Sequence, residues 1–499
     1  MQGSQIVDNL RLFHPELALT ALLLVLILAA AIVPRRNKLM AFIALAGFVV
    51  TGYFLLPQPA SAPTSIFSGM FAVDSFSVFF KWVILLSAAI VVVFSMMSRE
   101  LKEGAPTVGE YYALLVGMTF GMFLMTGASN LLMMYLAMEL TSISSYILAG
   151  YTKRAADSSE ASLKYVIYGA VASGMMLYGI SILYGLTGAV DIYGVHRALA
   201  GGSVNTLALT AAGILIIVGF GYKITAVPFH FWSPDVYEGA PITITAILAV
   251  ASKAAGFAMM IRLFTVAFVE GGFGGLQTGY WAVSAGFEWN LVLAAISVLT
   301  MTLGNLVAIW QNNLKRLLAY SSIAHAGYML MGLVVLSNEG ITAILIYFVV
   351  YLFMNLGAFY VVMLVADKTG SEDIETYKGL GYRSPLVAVI MAIFLISLTG
   401  IPPTAGFVGK LYLFAALINA KWFWLAIVGA VNSVISLYYY VRIFRNMFLR
   451  DPEPGATEPI RFSLVQILVL LALGVPTIVL GLYFGPLVGL AQASVNLLK

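Results

Sequence analysis

The chain has no cysteine and only four histidines among its 499 residues. The first absence excludes disulfides, Cys-ligated iron–sulfur clusters and haem attached through Cys-x-x-Cys-His. His14, His196, His230 and His325 are scattered without ligand spacing, so no metal centre is expected. Charge is scarce as well: 10% of residues are Asp, Glu, Lys or Arg, where soluble domains carry about 25%. No basic stripe interleaved with aromatics is present, which removes nucleic-acid binding. The Gly271-Gly272-Phe273-Gly274-Gly275 run lacks a preceding strand and a following helix. It reads as a flexible loop, not a phosphate cradle. Ten-residue segments of alternating polarity are also missing, which excludes a membrane β-barrel.

Apolar residues make up 61% of the sequence, and the mean hydropathy is +0.97. Runs of eighteen or more apolar residues recur along the whole length, the pattern of an all-α polytopic membrane protein. Fourteen spans are expected, from 15–34 to 463–490, with only 367–384 and 450–462 as longer polar stretches. Residues 1–14 show no basic leader region, so the first run is expected to remain as a membrane helix. Sixteen of the 26 Lys and Arg residues fall in loops opposite the termini and four on the terminal side. The positive-inside rule then places both termini on the outer, periplasmic-type side.

Two spans carry breaks. One is Gly219-FGYKITAVPFHFW, with Lys223 five residues before Pro228; the other is Leu398-TGIPPTAGFVGK, with Lys410 after Pro402-Pro403. Interrupted helices at matching places in two halves point to a transport site. With five-helix units, spans four to eight match nine to thirteen, and the seventh pairs with the twelfth.

The informative residues are the charges inside apolar runs, each costing roughly 2.5–3.5 kcal/mol on insertion scales. Glu139 lies roughly 13 Å into its helix, near the middle of a core about 30 Å thick. Lys223 and Lys410 sit at the breaks, and Lys253 is flanked by small residues in Ala249-VASKAAGFA. The default reading of such residues is a proton or ion path. The bland alternatives are a hydrogen-bonded structural carboxyl and lysines capping freed carbonyls. Lys164 lies close enough to a span end to snorkel, and Lys81 and Arg262 read as anchors or pair partners. His325, in Ala319-YSSIAHAGYM, is either a relay or a packed side chain. His230, beside Trp232, reads as a structural loop residue at the inner boundary.

Together these segments resemble one family. Phe220-GYKITAVPFHFWSPDVYEGAP followed by Ala251-SKAAGFA is similar to subunit N of respiratory complex I, the antiporter-like subunit. Leu317-LAYSSIAHAGYMLMG, Gly379-LGYRSPL and Leu398-TGIPPTAGFVGK match as well, covering most of the chain from about 130 to 415. The resemblance implies fourteen helices with two inverted five-helix repeats. The implied divisions are 1–108 (helices one to three), 109–268 and 288–448 (the two halves) and 449–499 (the last helix). It implies a proton relay through Glu139, Lys164, Lys223, Lys253 and Lys410; His325 is a further candidate from its own setting, and the Glu139–Lys223 pair is expected to act as the switch.

The activity implied is that of a subunit of NADH:quinone oxidoreductase, with no redox chemistry and no cofactor in this chain. Quinone, flavin and iron–sulfur clusters are expected in partner subunits. The partners expected are an M-type antiporter-like subunit and the small K- and J-type subunits, in a bacterial inner membrane. A stand-alone Mrp-like cation/proton antiporter fits the same charges. So does the equivalent subunit of a photosynthetic or F420-dependent relative, and a passive scaffold predicts that the lysines are dispensable.

Overall fold

The computed structural model describes residues 3–33, 37–58, 63–105, 108–152, 155–202, 204–269, 281–283, 287–452 and 458–495. Lys153, Arg154 and the run Gly271–Gly275 lie outside them.

Twelve helices in the described residues are long and apolar enough to cross a membrane. The first half contains α1 (Gly3–Leu12), α2 (His14–Ile32), α3 (Asn37–Leu55), α4 (Ser75–Met97), α5 (Arg99–Gly104), α6 (Gly109–Gly127), α7 (Leu131–Ala149) and α8 (Ala156–Thr187). It continues with α9 (Ile192–Ala200), α10 (Thr206–Ile224), α11 (Trp232–Gly239), α12 (Ile242–Ile247), a π-helical turn at Leu248–Ser252 and α13 (Lys253–Ala267). The rest is α14 (Trp289–Ala308), α15 (Leu314–Val334), α16 (Asn338–Thr369), α17 (Leu380–Arg383), α18 (Pro385–Thr399), α19 (Ala405–Asn419), α20 (Phe423–Leu449), α21 (Leu464–Leu482) and α22 (Gly485–Ser494). A short hairpin, β1 (Thr64–Ile66) and β2 (Phe71–Val73), links α3 to α4.

The expected fourteen spans survive. Helix α6 is less apolar because it opens on Glu110, Tyr111 and Tyr112, yet it is buried along most of its length. The stretch 385–420 is a broken span, α18 and α19. The last span differs from expectation: after Leu482 the chain turns at Tyr483 and Phe484 and starts a second short helix, with Pro486 in its first turn.

The halves repeat each other upside down. Asn130 caps α7 and bridges Asp191; Asn313 caps α15 and bridges Asp373. The first bridge lies on the face of the termini, the second on the face of the basic loops. Helices α8 and α16 are both 32 residues long and both end on a left-handed glycine, Gly188 and Gly370. At the breaks, Thr225 and Gly400 are both left-handed C-caps (φ 62° and 89°). In each, the next amide reaches back five residues, Ala226 to Gly221 and Ile401 to Ile396. Such Schellman-type closures satisfy the carbonyls that a helix end leaves open.

The centre of the bundle is α12–α13, α15 and α16. The span Ile242–Ala267 is buried throughout, whereas α2, α20 and α21 turn much of their surface outward. The most enclosed helices are therefore the ones that carry Lys253 and His325.

Candidate functional site

Four of the expected residues are nearly sealed: Lys223, Lys253, His325 and Lys410 are each at most 4% exposed. An isolated buried charge is costly unless its hydrogen bonds are met, and each of the three lysines meets them with neutral oxygens. Lys223 Nζ donates to Ser142 Oγ at 3.1 Å. Lys253 Nζ donates to the Ser322 carbonyl at 2.8 Å and to Ser322 Oγ at 2.6 Å. Lys410 Nζ donates to the Thr399 carbonyl at 2.8 Å and to Ser433 Oγ at 3.0 Å, and stands 4.5 Å above the Tyr328 ring. The break before Lys410 supplies that carbonyl, since Thr399 is the last residue of α18.

Glu139 shares a face of α7 with Ser142, one turn apart. Its Oε1 has no hydrogen-bond partner among the described residues, and no ion pair forms with Lys223. The two residues expected to pair are thus neighbours, with the lysine turned to a hydroxyl. Lys223 meets the next helix at Gly256, where an added Cβ would sit 3.2 Å from Lys223 Cγ. Lys253 is one turn before Gly256, at the end of the π-helical turn. Single π turns inside α-helices recur at functional sites.

Helix α15 joins the second half of the row. Ser321, Ser322, His325 and Tyr328 fall on one side of it, at helical spacing. His325 Nδ1 lies 2.7 Å from the Tyr347 hydroxyl and Nε2 3.4 Å from the Tyr440 hydroxyl, which also bonds Ser321. Asn305 fixes Tyr328, donating to its hydroxyl at 3.2 Å and to the Asn432 carbonyl at 3.1 Å. One helix therefore carries the partner of Lys253, the histidine and the ring beneath Lys410.

Lys164 is not joined to this row. It lies on the basic face, 37% exposed, paired with Glu160 at 2.8 Å and Asp235 at 2.6 Å. Asp235 also takes Arg316 at 2.6 Å, and Arg316 reaches Glu238 at 2.8 Å. Nearby, Lys315 pairs with Glu372 at 2.9 Å and donates to the Ala240 carbonyl. Glu100 accepts the Ile242 amide, and burial pushes its carboxyl up against the pull of Lys315. Sequence reading missed Asp235, whose partners are 71 and 81 residues away.

Lys81 and Arg262 are pair partners but not interfacial anchors. Lys81–Glu16 (2.6 Å) and the two-pronged Arg262–Asp74 pair (2.7 and 2.9 Å) are fully buried. Arg262 adds two bonds to the Thr126 carbonyl, and Asp74 caps α4 through the Ser77 amide. His230 is buried between the two pieces of the seventh span, next to Phe231.

Residues 128–436 match the family model described as NADH:quinone oxidoreductase/Mrp antiporter, TM. The chain is 47% identical over 490 residues to an NADH-quinone oxidoreductase subunit N 2 from Chloroherpeton thalassium, covering 97% of this chain and 94% of that one. It is 46% identical over 513 residues to subunit N from Anaeromyxobacter sp., covering 99% and 98%. A chain of respiratory complex I from Thermus thermophilus superposes with a TM-score of 0.79 at 31% identity, covering 96% and 99%. A chain of the Mrp complex from Dietzia sp. shares the fold, with a TM-score of 0.80 at 23% identity, covering 97% of each.

Proposed function

The chain belongs to the NADH:quinone oxidoreductase/Mrp antiporter family, and from that premise we propose how its buried side chains carry protons. It is a multi-pass membrane protein, an antiporter-like proton-translocating subunit of NADH-quinone oxidoreductase. Other membrane subunits of that assembly are its partners. In our reading these include the M-type antiporter-like subunit and the small K- and J-type subunits. The redox groups and quinone belong to partner subunits of the assembly, the membrane is the bacterial inner membrane, and the basic face is cytoplasmic with both termini outside.

The observation that carries the pathway is the run from Lys253 on α13 through Ser322, His325 and Tyr328 of α15 to Lys410 on α19. Glu139, Lys223 and Lys253 load protons from the basic face; Lys410 hands them toward the terminal face. Each lysine rests on neutral oxygens, so its ammonium has no carboxylate to hold it permanently charged. Lys223 is the switch: it alternates between Ser142 and Glu139, and closing the ion pair withdraws its charge from the row. Lys164, bound to Asp235 on the basic face, orders α8 against α11 and Arg316 and serves the entrance rather than the midplane. Moving one charge against 100 mV takes about 2.3 kcal/mol, which quinone reduction elsewhere in the assembly supplies. The two halves, 109–268 and 288–448, act as the two inverted units of this path.

The test is Lys253→Ala in the intact complex, reading protons moved per NADH oxidised. A severalfold fall with normal assembly is expected. Unchanged pumping at full electron transfer would remove the row from the mechanism.

A further inference from the structure

On the terms of this pathway, which the inference presupposes, Lys253 has to be supplied from the basic face, about three helical turns away. Among the described residues, no ion pair or hydrogen bond joins Lys253 to the charged side chains of that face. A different set of groups stands there. Asn355 on α16 is 0% exposed, and neither its Oδ1 nor its Nδ2 has a hydrogen-bond partner among the described residues. The hydroxyls of Tyr237 and Tyr351 are buried as well, and Ser322 is the side chain within reach of each.

The orphaned amide and the two hydroxyls adjoin one another. Tyr351 is one turn before Asn355, and its ring centroid lies 5.1 Å from that of His325. Phe359 is one turn after Asn355, and its ring lies 6.4 Å from that of Tyr237. Residues four apart share a helix face, so Asn355 looks into the space between α11 and α15. The Tyr237 and Tyr351 hydroxyls both border Ser322, the residue that takes both hydrogen bonds of Lys253.

We propose that Asn355, Tyr237 and Tyr351 bind a small cluster of buried water that conducts protons from the basic face to Lys253. Buried polar groups in native proteins are satisfied by protein or by ordered water, and a buried water takes two to four polar partners. An amide and two hydroxyls supply that number, whereas a packed apolar core has no use for them. The route begins on α11, where Asp235 and Glu238 are partly exposed. Beside it, a polar cleft of about 560 Å³ holds Glu100, Ile242, Asp367 and Glu372 where α12 begins. Tyr237 hangs from the same corner, its carbonyl accepting Thr245 Oγ1 at 3.0 Å. Each water accepts one proton and releases another, and the Lys253 amine takes the last to become ammonium. Only O–H and N–H bonds form and break. Asn355 is a positioning residue: it orients the water and does not itself titrate.

A map of the native complex at a resolution that shows water is the direct test. Ordered density within hydrogen-bonding reach of Asn355 and of one of the two hydroxyls is expected; a dry site overturns the proposal. The kinetic test is Asn355→Leu in the intact complex, expected to cut the pumping rate at least tenfold while the complex assembles. Asn355→Ser, polar and smaller, restores most of it. Full pumping in Asn355→Leu, or no recovery in Asn355→Ser, overturns the proposal. If the leucine variant fails to assemble, the water map and the serine variant decide. Lys253→Ala separates the two levels: normal pumping there sinks the pathway itself, whereas a block there with normal Asn355→Leu sinks only the water route.

Discussion

Lys223 donates its hydrogen bond to Ser142, not to Glu139, which stands one turn earlier on the same face of α7. The resting arrangement is therefore an open pair, held open by a serine hydroxyl. Removing that hydroxyl should let the ammonium collapse onto the carboxylate. Hydrogen bonds to charged groups are worth about 1.5–3 kcal/mol, and about 1.4 kcal/mol is tenfold in an equilibrium. Ser142→Ala is expected to slow pumping roughly tenfold in the assembled complex, with Ser142→Thr close to normal. Proton uptake measured beside NADH oxidation checks it; wild-type pumping in the alanine variant would show that the pair needs no such prop.

Gly256 gives the Lys223 stem its room. A Cβ there would lie 3.0 Å from Ile224 Cγ2 and 3.2 Å from Lys223 Cγ, tighter than ordinary contact. Gly256→Ala is expected to displace Lys223 by a few tenths of an ångström and reduce pumping severalfold with assembly intact. Gly256→Val, with two more carbons to place, should also lower the yield of complex. The paired measurements are pumping per NADH oxidised and the amount of assembled complex in membranes.

The sequence exposes some of this site and hides the rest for definable reasons. Glu139, Lys223, Lys253 and Lys410 stand out because a charge in an apolar run is conspicuous. Their partners do not, because Ser142, Ser322, Tyr328 and Tyr347 are ordinary components of membrane helices. The repeat is faint for another reason. What the halves share is backbone punctuation, such as Asn130 with Asn313, Gly188 with Gly370 and Thr225 with Gly400. Counted from those marks, Glu139 falls opposite Ser322, Ser142 opposite His325 and Asp235 opposite Lys410, so the chemistry has diverged on a kept scaffold. The ion pair of Lys164 is hidden because its partner Asp235 is distant in sequence, whereas its place near a span end agrees with its partly exposed side chain.

Asp74 and Arg262 form a two-pronged buried pair outside the row. Both side chains are fully buried, and their four oxygen contacts lock α4, α6 and α13 together at the terminal face. Removing one partner of such a pair strands the other charge and costs about 3–5 kcal/mol. Arg262→Met or Asp74→Leu alone should therefore abolish most assembled complex, read by native gel of solubilised membranes. The double variant should recover part of it, because two apolar side chains leave no stranded charge. Recovery stays incomplete, since the Thr126 carbonyl and the Ser77 amide lose their partners. A double variant worse than both singles would mean that packing, not charge, is what the pair contributes.

His325 can be separated into relay and prop by a substitution that keeps hydrogen bonding but cannot titrate. A neutral imidazole has one donor and one acceptor nitrogen, so the hydroxyls of Tyr347 and Tyr440 meet it in opposite roles. Reversing both roles together moves a proton across the ring, from the Ser321–Tyr440 side toward Tyr347. A glutamine at this position offers an acceptor oxygen and a donor nitrogen to the same two hydroxyls, but the roles cannot be exchanged. His325→Gln is therefore expected to assemble normally and lose at least tenfold in pumping rate. Tyr347→Phe, which removes one of the two hydroxyls, should lose less and add little to the loss in the glutamine variant, because the two act in one path. Pumping near normal in His325→Gln would make the histidine a structural tie between α15, α16 and α20, and the protons would then have to pass from Lys253 to Lys410 without it.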